Sequence, residues 1–548
     1  MRAQRSVVVA SFLVVFVLGF WVAGLVRATS SSTYDDWNTL AAVFTQVRDH
    51  YVEPVNEEKL LQSAIRGMLR SLDPHSQYLD KSDYTDLRTS TTGAFGGIGI
   101  QIGVRGNYPT VISPIEGTPA FNLGIQTGDR IVQIEGKPTE GFTIDQVIAR
   151  LRGAEGTKVN ITIAREGEEK LLNYAITRAK IEVKSVPYHY VMDNGIGYMR
   201  VTVFSETTGE EVHAALEDFT RAKAKGVVFD LRYNPGGLLS QAVEVGQQFV
   251  TKGEEIVQQR PRSPQQIQTY YSQNPHPYNF PMVVLVNGGS ASASEIVAGA
   301  WQDHDLALVV GTTSYGKGSV QSIFPLSGST ALKLTTAKWY TPAGRSIHKD
   351  EGERDLLAAD EVDKVGDSSA SEDGADPQDV AAADAAARNA NKPKFRTLER
   401  KRIVYGGGGI TPDVEIKPEK LTSLESKVEG RGIAFNFIVK YAGQHKDLAL
   451  SAPVTDPMFT QFVEAVKKEN IDFTQEEMSR DRSYFERALR REVARRVSGD
   501  AAAFRVVAEG DNQLQAAVDL ITKYKTTPKL LDYAASAHAS VSTDTHKE

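Results

Sequence analysis

No cysteine occurs in the 548 residues of this chain. Its absence excludes disulfides, thiolate nucleophiles, zinc–cysteine sites and a bacterial lipid-anchor cysteine. It leaves the redox compartment open, because a cysteine-free chain is stable in either regime. An excess of positive charge is also missing. Sixty-two Lys and Arg stand against 69 Asp and Glu, giving a net charge of -7 and a pI near 5.9. That balance argues against a nucleic-acid binder, which needs a basic surface. Histidine is scarce, with 10 residues, so histidine-based catalysis has few places to sit. Length alone implies about three or four folded units rather than one core.

Long uncharged runs are rare in what remains, but one opens the chain. Arg2 and Arg5 precede Ser6–Val26, which carries no charge. The run is long enough to cross a bilayer and exceeds the usual apolar core of a signal peptide. Val26-Arg27-Ala28 is an acceptable cleavage site. The expectation for residues 1–28 is therefore a signal anchor or a signal peptide, the uncleaved anchor being favoured. The basic flank stays inside and the rest is exported to the cell envelope or periplasm.

Residues 34–92 read as helical, with Leu40, Val43, Phe44 and Val47 at helical spacing. Pro74 interrupts the helical pattern within LDPHSQYL. Residues 93–180 are glycine-rich with short β-branched runs. They hold Gly97-Ile98-Gly99-Ile100, then Gly128-Asp129-Arg130-Ile131, then one amphipathic helix in FTIDQVIARLRG. This β-rich unit resembles a PDZ domain. Such a loop aims backbone N–H groups at a peptide's terminal carboxylate, and an adjacent strand edge takes the peptide as an extra strand. Residues 181–349 and 395–419 alternate strands and helices, the pattern of an α/β layered core. Residues 350–394 form an insertion, rich in alanine, serine and acidic residues over Asp350–Asn391, that cannot bury a core and is expected to be disordered. Residues 420–534 read as a helical C-terminal region, and 535–548 as a loose polar tail.

The run GTTSYGKG (Gly311–Gly318) follows the strand-like LALVV and nearly matches a phosphate-binding loop. That chemistry needs a helix directly after the lysine and a hydroxyl at the next position. Here the hydroxyl position is Gly318, and Val320, Ile323, Phe324 and Pro325 suit a strand. Ser314-Tyr315-Gly316-Lys317 also matches the S-x-x-K of penicillin-binding proteins. Gly316 and Gly318 disfavour the helix that motif works from, and its companions S-D-N and K-T-G are missing.

Upstream, NGGSASASE (Asn287–Glu295) takes a strand into glycines, three serines and a helix. Such a turn presents a hydroxyl beside the free N–H groups of a helix start, which can serve an oxyanion hole. The serine needs a base. His304 ends a helix and His213 lies on another, neither in a triad context. Lys317 has no acid near it in sequence, and a buried lysine without a close carboxylate can be neutral at working pH. In an extended segment Lys317, Ser319 and Gln321 share a face. Gln321 can orient the amine without adding a charge.

The pieces LDPHSQYL, the PDZ-like unit, DLRYNPGG, NGGSASASEIVAGA, SYGKGSVQ, TPAGRSIH and GITPDVEI together resemble the carboxy-terminal processing proteases, tail-specific serine peptidases with a Ser-Lys dyad. They cover roughly residues 35–420 in the family's order. The resemblance implies a multidomain α/β protease core with an inserted PDZ domain and helical N- and C-terminal regions. It implies Ser292 as nucleophile, Lys317 as base and Gln321 as the lysine's partner. Residues alone do not choose among Ser290, Ser292 and Ser294; helix capping is the ordinary reading of the other two. The oxyanion donors would be Ala293 N–H and one from the Gly236-Gly237 turn. Gly97, Ile98, Gly99 and Ile100 would bind the peptide. Arg152 would gate the site, though a plain helix-end arginine serves as well. No cofactor or metal is expected. The expected partners are proteins with free, apolar C-termini, the membrane, and a second copy or adaptor on the C-terminal helices. The rival is an inactive or partner-activated PDZ scaffold. A heat-shock-type Ser-His-Asp protease is disfavoured because its G-N-S-G-G segment is absent.

Overall fold

A computed structural model of the chain describes residues 34–349, 389, 392–445 and 453–544. The expected anchor at 1–28 and most of the acidic insertion lie outside the described residues. Among the described residues no helix is long and apolar enough to cross a membrane. The chain forms two compact units, one holding the described residues up to Lys81 with Ser322–Thr335, the other Ser82–Gln321 and Thr336 onward.

In the first unit, residues 34–50 are helical and a second helix spans Glu57–Arg70. Asn56 caps the latter by accepting the Lys59 N–H at 2.9 Å, one of the donors a helix start leaves unpaired. The LDPHSQYL run is a turn built on Asp73. Its carboxylate accepts the N–H groups of His75 (2.7 Å) and Ser76 (2.9 Å) and the hydroxyls of Ser76 (2.7 Å) and Thr335 (3.2 Å). The turn delivers the strand Gln77–Leu79, paired antiparallel with Ala331–Lys333.

The second unit opens within the helix Lys81–Thr92, which leads into the glycine-rich segment. Ile100–Arg105, Tyr108–Pro114, Arg130–Ile134, Lys158–Ala164 and Leu172–Thr177 pair in that order as an antiparallel sheet. Ala94–Gly97 pairs separately with Ala179–Glu182. The helix Ile144–Leu151 starts at a reciprocal Thr143–Gln146 capping box. Val111, Ile131, Ile134, Val147, Val159 and Ile163 are fully buried between sheet and helix.

The core of the same unit is a six-stranded sheet in sequential order. Its elements are β1 (Tyr188–Val191), β2 (Gly197–Arg200), α1 (Thr208–Arg221), β3 (Val227–Asp230), α2 (Leu239–Gly246), β4 (Met282–Val286), α3 (Ala293–Asp303), β5 (Leu308–Gly311) and β6 (Val414–Glu415). β1 is an antiparallel edge and the rest run parallel. Parallel strands covered on both faces read as unbroken apolar runs, and VVF and MVVLV are such runs. Their side chains alternate. Val227, Phe229, Met282, Val284 and Val286 pack with α1, α2 and α3. Val228, Val283, Leu285, Leu308 and Val310 point the other way.

That second face is covered by the C-terminal helices α4 (Asn512–Tyr524) and α5 (Thr527–Asp544), through Leu514, Ala517, Val518, Ile521, Leu530, Leu531 and Ala534. α5 continues through Ala535 to Asp544, where the sequence reading placed a loose tail. Leu530, Leu531 and Ala534 seat its first turns, and the alanine-containing remainder carries the helix on. Residues between Ser423 and Val493 build a separate helical core around Phe462, Phe485 and Leu489. This helical layer also meets the PDZ-like unit. Arg496 donates to the Thr127 carbonyl at 2.6 Å, and Val439 fills the space beside Gly128, where a Cβ would lie 2.5 Å from it.

Ile521 is 1% exposed and sits against Gly226, where a Cβ would approach it to 2.5 Å. Ile521→Ala is expected to cost about 2–5 kcal/mol, read as a lowered urea midpoint. Gly226→Ala should destabilise in the same direction by overpacking.

Candidate active site

Three neighbouring parallel strands deliver the DLRYNPGG, NGGSASASE and GTTSYGKG motifs to one end of the sheet. β3 runs into Leu231–Gly237, β4 into Asn287–Ser292, and β5 into Thr312–Lys317. Loops at the carboxyl ends of adjacent parallel strands are where open α/β sheets place their sites.

The three serines of SASAS have separate fates. Ser290 is fully buried, donates to the Leu231 carbonyl at 2.8 Å and accepts the Asn287 N–H at 2.9 Å. Ser294 is fully buried and donates to the Asn234 carbonyl at 3.0 Å. The sequence reading made both helix caps. Instead they brace the serine loop against Leu231 and Asn234, because Ser292 holds the N-cap position of α3 and leaves Ser290 ahead of it and Ser294 inside the first turn. Ser292 is half-buried and precedes the first residue of α3. Its backbone is strained, with φ 55° and ψ -113°. Such a conformation costs on the order of 1–3 kcal/mol and persists only where the surroundings impose it.

The surroundings are the Tyr233–Gly237 turn. A Cβ on Gly236 would lie 2.7 Å from the Ala291 carbonyl oxygen and 2.8 Å from both Ala293 N and Ser292 Cβ. With φ 97° as well, only glycine fits. Asn234 shapes the turn. Its amide donates to the Val201 carbonyl at 2.9 Å and its oxygen accepts the Gly236 N–H at 2.8 Å. Gly236 N–H is thereby occupied. Among the described residues, the N–H groups of Gly237 and Ala293 donate to no acceptor.

Glu295 is the residue sequence reasoning missed. One oxygen accepts the N–H groups of Ser292 (2.8 Å) and Lys317 (2.9 Å), and the other accepts Gly316 N–H (2.7 Å) and the Ser314 hydroxyl (2.5 Å). Ser314 in turn accepts the Ile410 N–H at 2.6 Å. The S-x-x-K serine is thus a strut. The signal was available as a glutamate three residues after a serine at a helix start, but its reach to Ser314–Lys317 was not. No acid lies near Lys317 in sequence, but the fold brings this carboxylate to its main chain, through a loop β5 places alongside. Burial pushes Glu295 from 4.5 up to about 7, against the pull of its hydrogen bonds.

Lys317 is half-buried and held at both ends of its peptide unit. Its N–H goes to Glu295, and its carbonyl accepts the Trp339 indole N–H at 3.1 Å. A strand, Ser319–Pro325, follows it, not a helix. Gln321 donates to Ser319 Oγ at 2.9 Å, which puts those two side chains on one face. The histidines serve elsewhere. His304 Nε2 meets the Glu255 carbonyl at 2.6 Å, and His213 meets Gln248 and Tyr278.

In the PDZ-like unit, Ile98 is buried, and its carbonyl accepts the Ala120 N–H at 3.0 Å. Gly99 has φ 79° and lies against Thr118, where a Cβ would come within 2.2 Å. Gly97 belongs to the Ala94–Gly97 strand and Ile100 opens Ile100–Arg105, a strand that among the described residues is paired on one side only. Arg152 donates to Asp86 at 3.1 Å and lies over the Phe95 ring at 4.5 Å. A cavity of about 450 Å³ beside it is lined by Phe95, Gly96, Ala154, Glu155, Lys180 and Glu206, where this unit adjoins the core. Among the described residues no cluster of His, Asp or Glu is arranged to hold a metal ion.

A parallel sheet presenting a serine elbow, with a PDZ-like unit inserted ahead of it, defines a class of peptidase, and comparison with known proteins agrees. The family model for peptidase family S41 matches residues 195–357. That for the PDZ domain matches 110–165, and that for the N-terminal domain of activating protease CtpB matches 24–83. A carboxy-terminal-processing protease of Bartonella bacilliformis is 44% identical over 61% of this chain and 80% of its own. Carboxy-terminal processing protease CtpA of Bacillus subtilis is 35% identical over 63% of this chain and 73% of its own. The solved photosystem II D1 C-terminal processing protease is 29% identical, covering 57% of this chain and 84% of that one, with a TM-score of 0.35. The chain belongs to the carboxy-terminal processing proteases of family S41.

Glu295 also sets a pH dependence. Its folded value lies above the ordinary 4.5, so the folded state binds this proton more tightly than the unfolded state. The stability it contributes is present below about 4.5 and is lost as pH rises through about 7. In a Ser292→Ala background, the urea midpoint should fall between pH 5 and pH 8, and Glu295→Gln should flatten that fall.

Proposed function

We propose that this peptidase is an exported endopeptidase that captures protein C-termini on its PDZ domain and cleaves through a Ser292–Lys317 dyad. The observation that carries the reading is the separation of the three serines. Ser290 and Ser294 are spent on the backbone of the Asp230–Gly237 segment, leaving Ser292 half-exposed on a strained elbow.

In this reading neutral Lys317 takes the proton from Ser292 Oγ as that oxygen attacks the scissile carbonyl. The negative charge that develops is met by the N–H groups of Ala293 and Gly237, both without another acceptor among the described residues. Gly236 supplies the space, not the donor, since its N–H is held by Asn234. The protonated lysine then gives its proton to the leaving amine. Water releases the acyl group with Lys317 again as base. Gln321 orients the amine. No metal or cofactor enters these steps.

The Gly97–Ile100 loop and the open edge of Ile100–Arg105 receive the substrate's carboxylate and last apolar residues by strand addition. Arg152, on the Phe95 face and paired with Asp86, is the gating residue of this scheme. Export and anchoring rest on Arg2, Arg5 and the uncharged Ser6–Val26. A homodimer or adaptor contact through the C-terminal helices would be confined to their outward faces, since the inward faces of α4 and α5 are buried on the sheet.

The test uses purified residues 29–548 with chelator and no ATP, mixed with a loosely folded protein ending in an apolar residue. Cleavage is expected, with a loss of about 10³-fold or more in both Ser292→Ala and Lys317→Ala and tail binding intact. Binding without cleavage by the parent would mark a scaffold. Unchanged cleavage in Lys317→Ala would remove the dyad.

A further inference from the structure

The turn beside Ser292 is not held by the core alone. Arg232 immediately precedes Tyr233–Gly237, and all five of its guanidinium hydrogens are used. Nε and Nη2 donate to Asp230 at 3.0 and 2.7 Å. Nη1 and Nη2 donate to the two oxygens of Asp511 at 2.9 and 2.6 Å, and Nη1 also reaches Gln513 at 2.9 Å. Asp230 is completely buried and further accepts the Tyr198 hydroxyl at 2.8 Å.

Asp511 comes from the last part of the chain. It is the N-cap of α4 and accepts the Leu514 N–H at 3.0 Å with the oxygen that also faces Arg232. One carboxylate thus starts the helix that covers the sheet and closes the fork on Arg232. Gln513 is fixed in its turn by the Ile416 carbonyl at 2.6 Å. Removing the Asp511 charge leaves two N–H groups of a 9%-exposed arginine facing a group that no longer balances them.

We propose that Asp511 is a positioning residue for the oxyanion turn. The C-terminal helical layer reaches the reaction through Arg232, by fixing where the Gly237 N–H points. The consequence is specific to the transition state, because the Gly237 donor meets charge only as it develops. This rests on the reading of Gly237 and Ala293 as oxyanion donors.

The test compares the parent protein with Asp511→Asn, Asp511→Glu and Asn512→Ala. Asn512 begins the same helix but bonds the Lys417 carbonyl and not Arg232, so its variant controls for disturbance of the helix start. Steady-state cleavage is measured together with affinity for a peptide boronate, whose oxygen occupies the oxyanion position, and for a plain C-terminal peptide. Asp511→Asn is expected to lower kcat by about 10- to 100-fold and weaken boronate binding in parallel. KM and peptide affinity should stay near the parent's, while the unfolding midpoint falls because the Arg232 fork loses a charged partner, so kcat is read per folded molecule. Asp511→Glu should recover part of the loss, and Asn512→Ala should match the parent. Unchanged kcat in Asp511→Asn overturns the proposal. So does a kcat loss equalled by Asn512→Ala, or one that vanishes when corrected for the folded fraction. Cleavage by the parent, lost in Ser292→Ala, tests the peptidase reading separately.

Discussion

Glu295 ties the serine elbow to the lysine loop, where one main-chain bond, from Tyr315 N–H to the Ser290 carbonyl at 3.0 Å, also joins them. Its two oxygens take the main chain of the serine elbow on one side and three groups from Ser314 to Lys317 on the other. A carboxylate without a cation beside it is costly to bury, and the cost is offset only by donors. Four donors converge here, three of them backbone N–H groups that would otherwise be unpaired. The elbow and the lysine loop therefore stand or fall together. If the loop moves, the glutamate loses its donors, and the strained φ and ψ of Ser292 lose their support. The geometry of the proposed dyad is in this sense a property of a third residue.

Beyond the site, the same economy appears at the far end of α3. Arg345 is fully buried and pairs with Asp303 at 2.5 Å. Arg402 bridges Asp305 and Asp413. These residues fall in or beside TPAGRSIH and GITPDVEI, two motifs that carried the family resemblance. Both are braces. They hold the helix that presents Ser292, and no reacting group is among them.

Much of this was legible in the sequence. The alternation of strands and helices announced an α/β layered core, and Gly128-Asp129-Arg130-Ile131 with the later amphipathic helix announced the PDZ-like unit. The choice of Ser292 came from family likeness, and the fold supplies a physical companion to it in the backbone partners of Ser290 and Ser294. Other features could not be read. The partner of Gly236 N–H is a side chain two residues earlier, and nothing in DLRYNPGG says that Asn234 turns back rather than outward. Glu295 drew no reading from the sequence, because its partners beyond the elbow lie some twenty residues on. Asp511 lay in a region without motifs, and its partner Arg232 is separated from it by most of the folded chain. Periodicity reports which side chains face inward, not which polar groups meet.

The second face of the sheet has a consequence for how the protein comes into being. Val228, Val283 and Leu308 are made long before Leu514, Val518 and Leu530, which shield them. Until α4 and α5 are present, one side of the sheet is an apolar surface open to water. Contacts of such large sequence separation form late. A chain emerging in stages has its serine and lysine long before it has a finished sheet. Synthesis order therefore leaves the sheet half-dressed, its second face closed only by the helices made last.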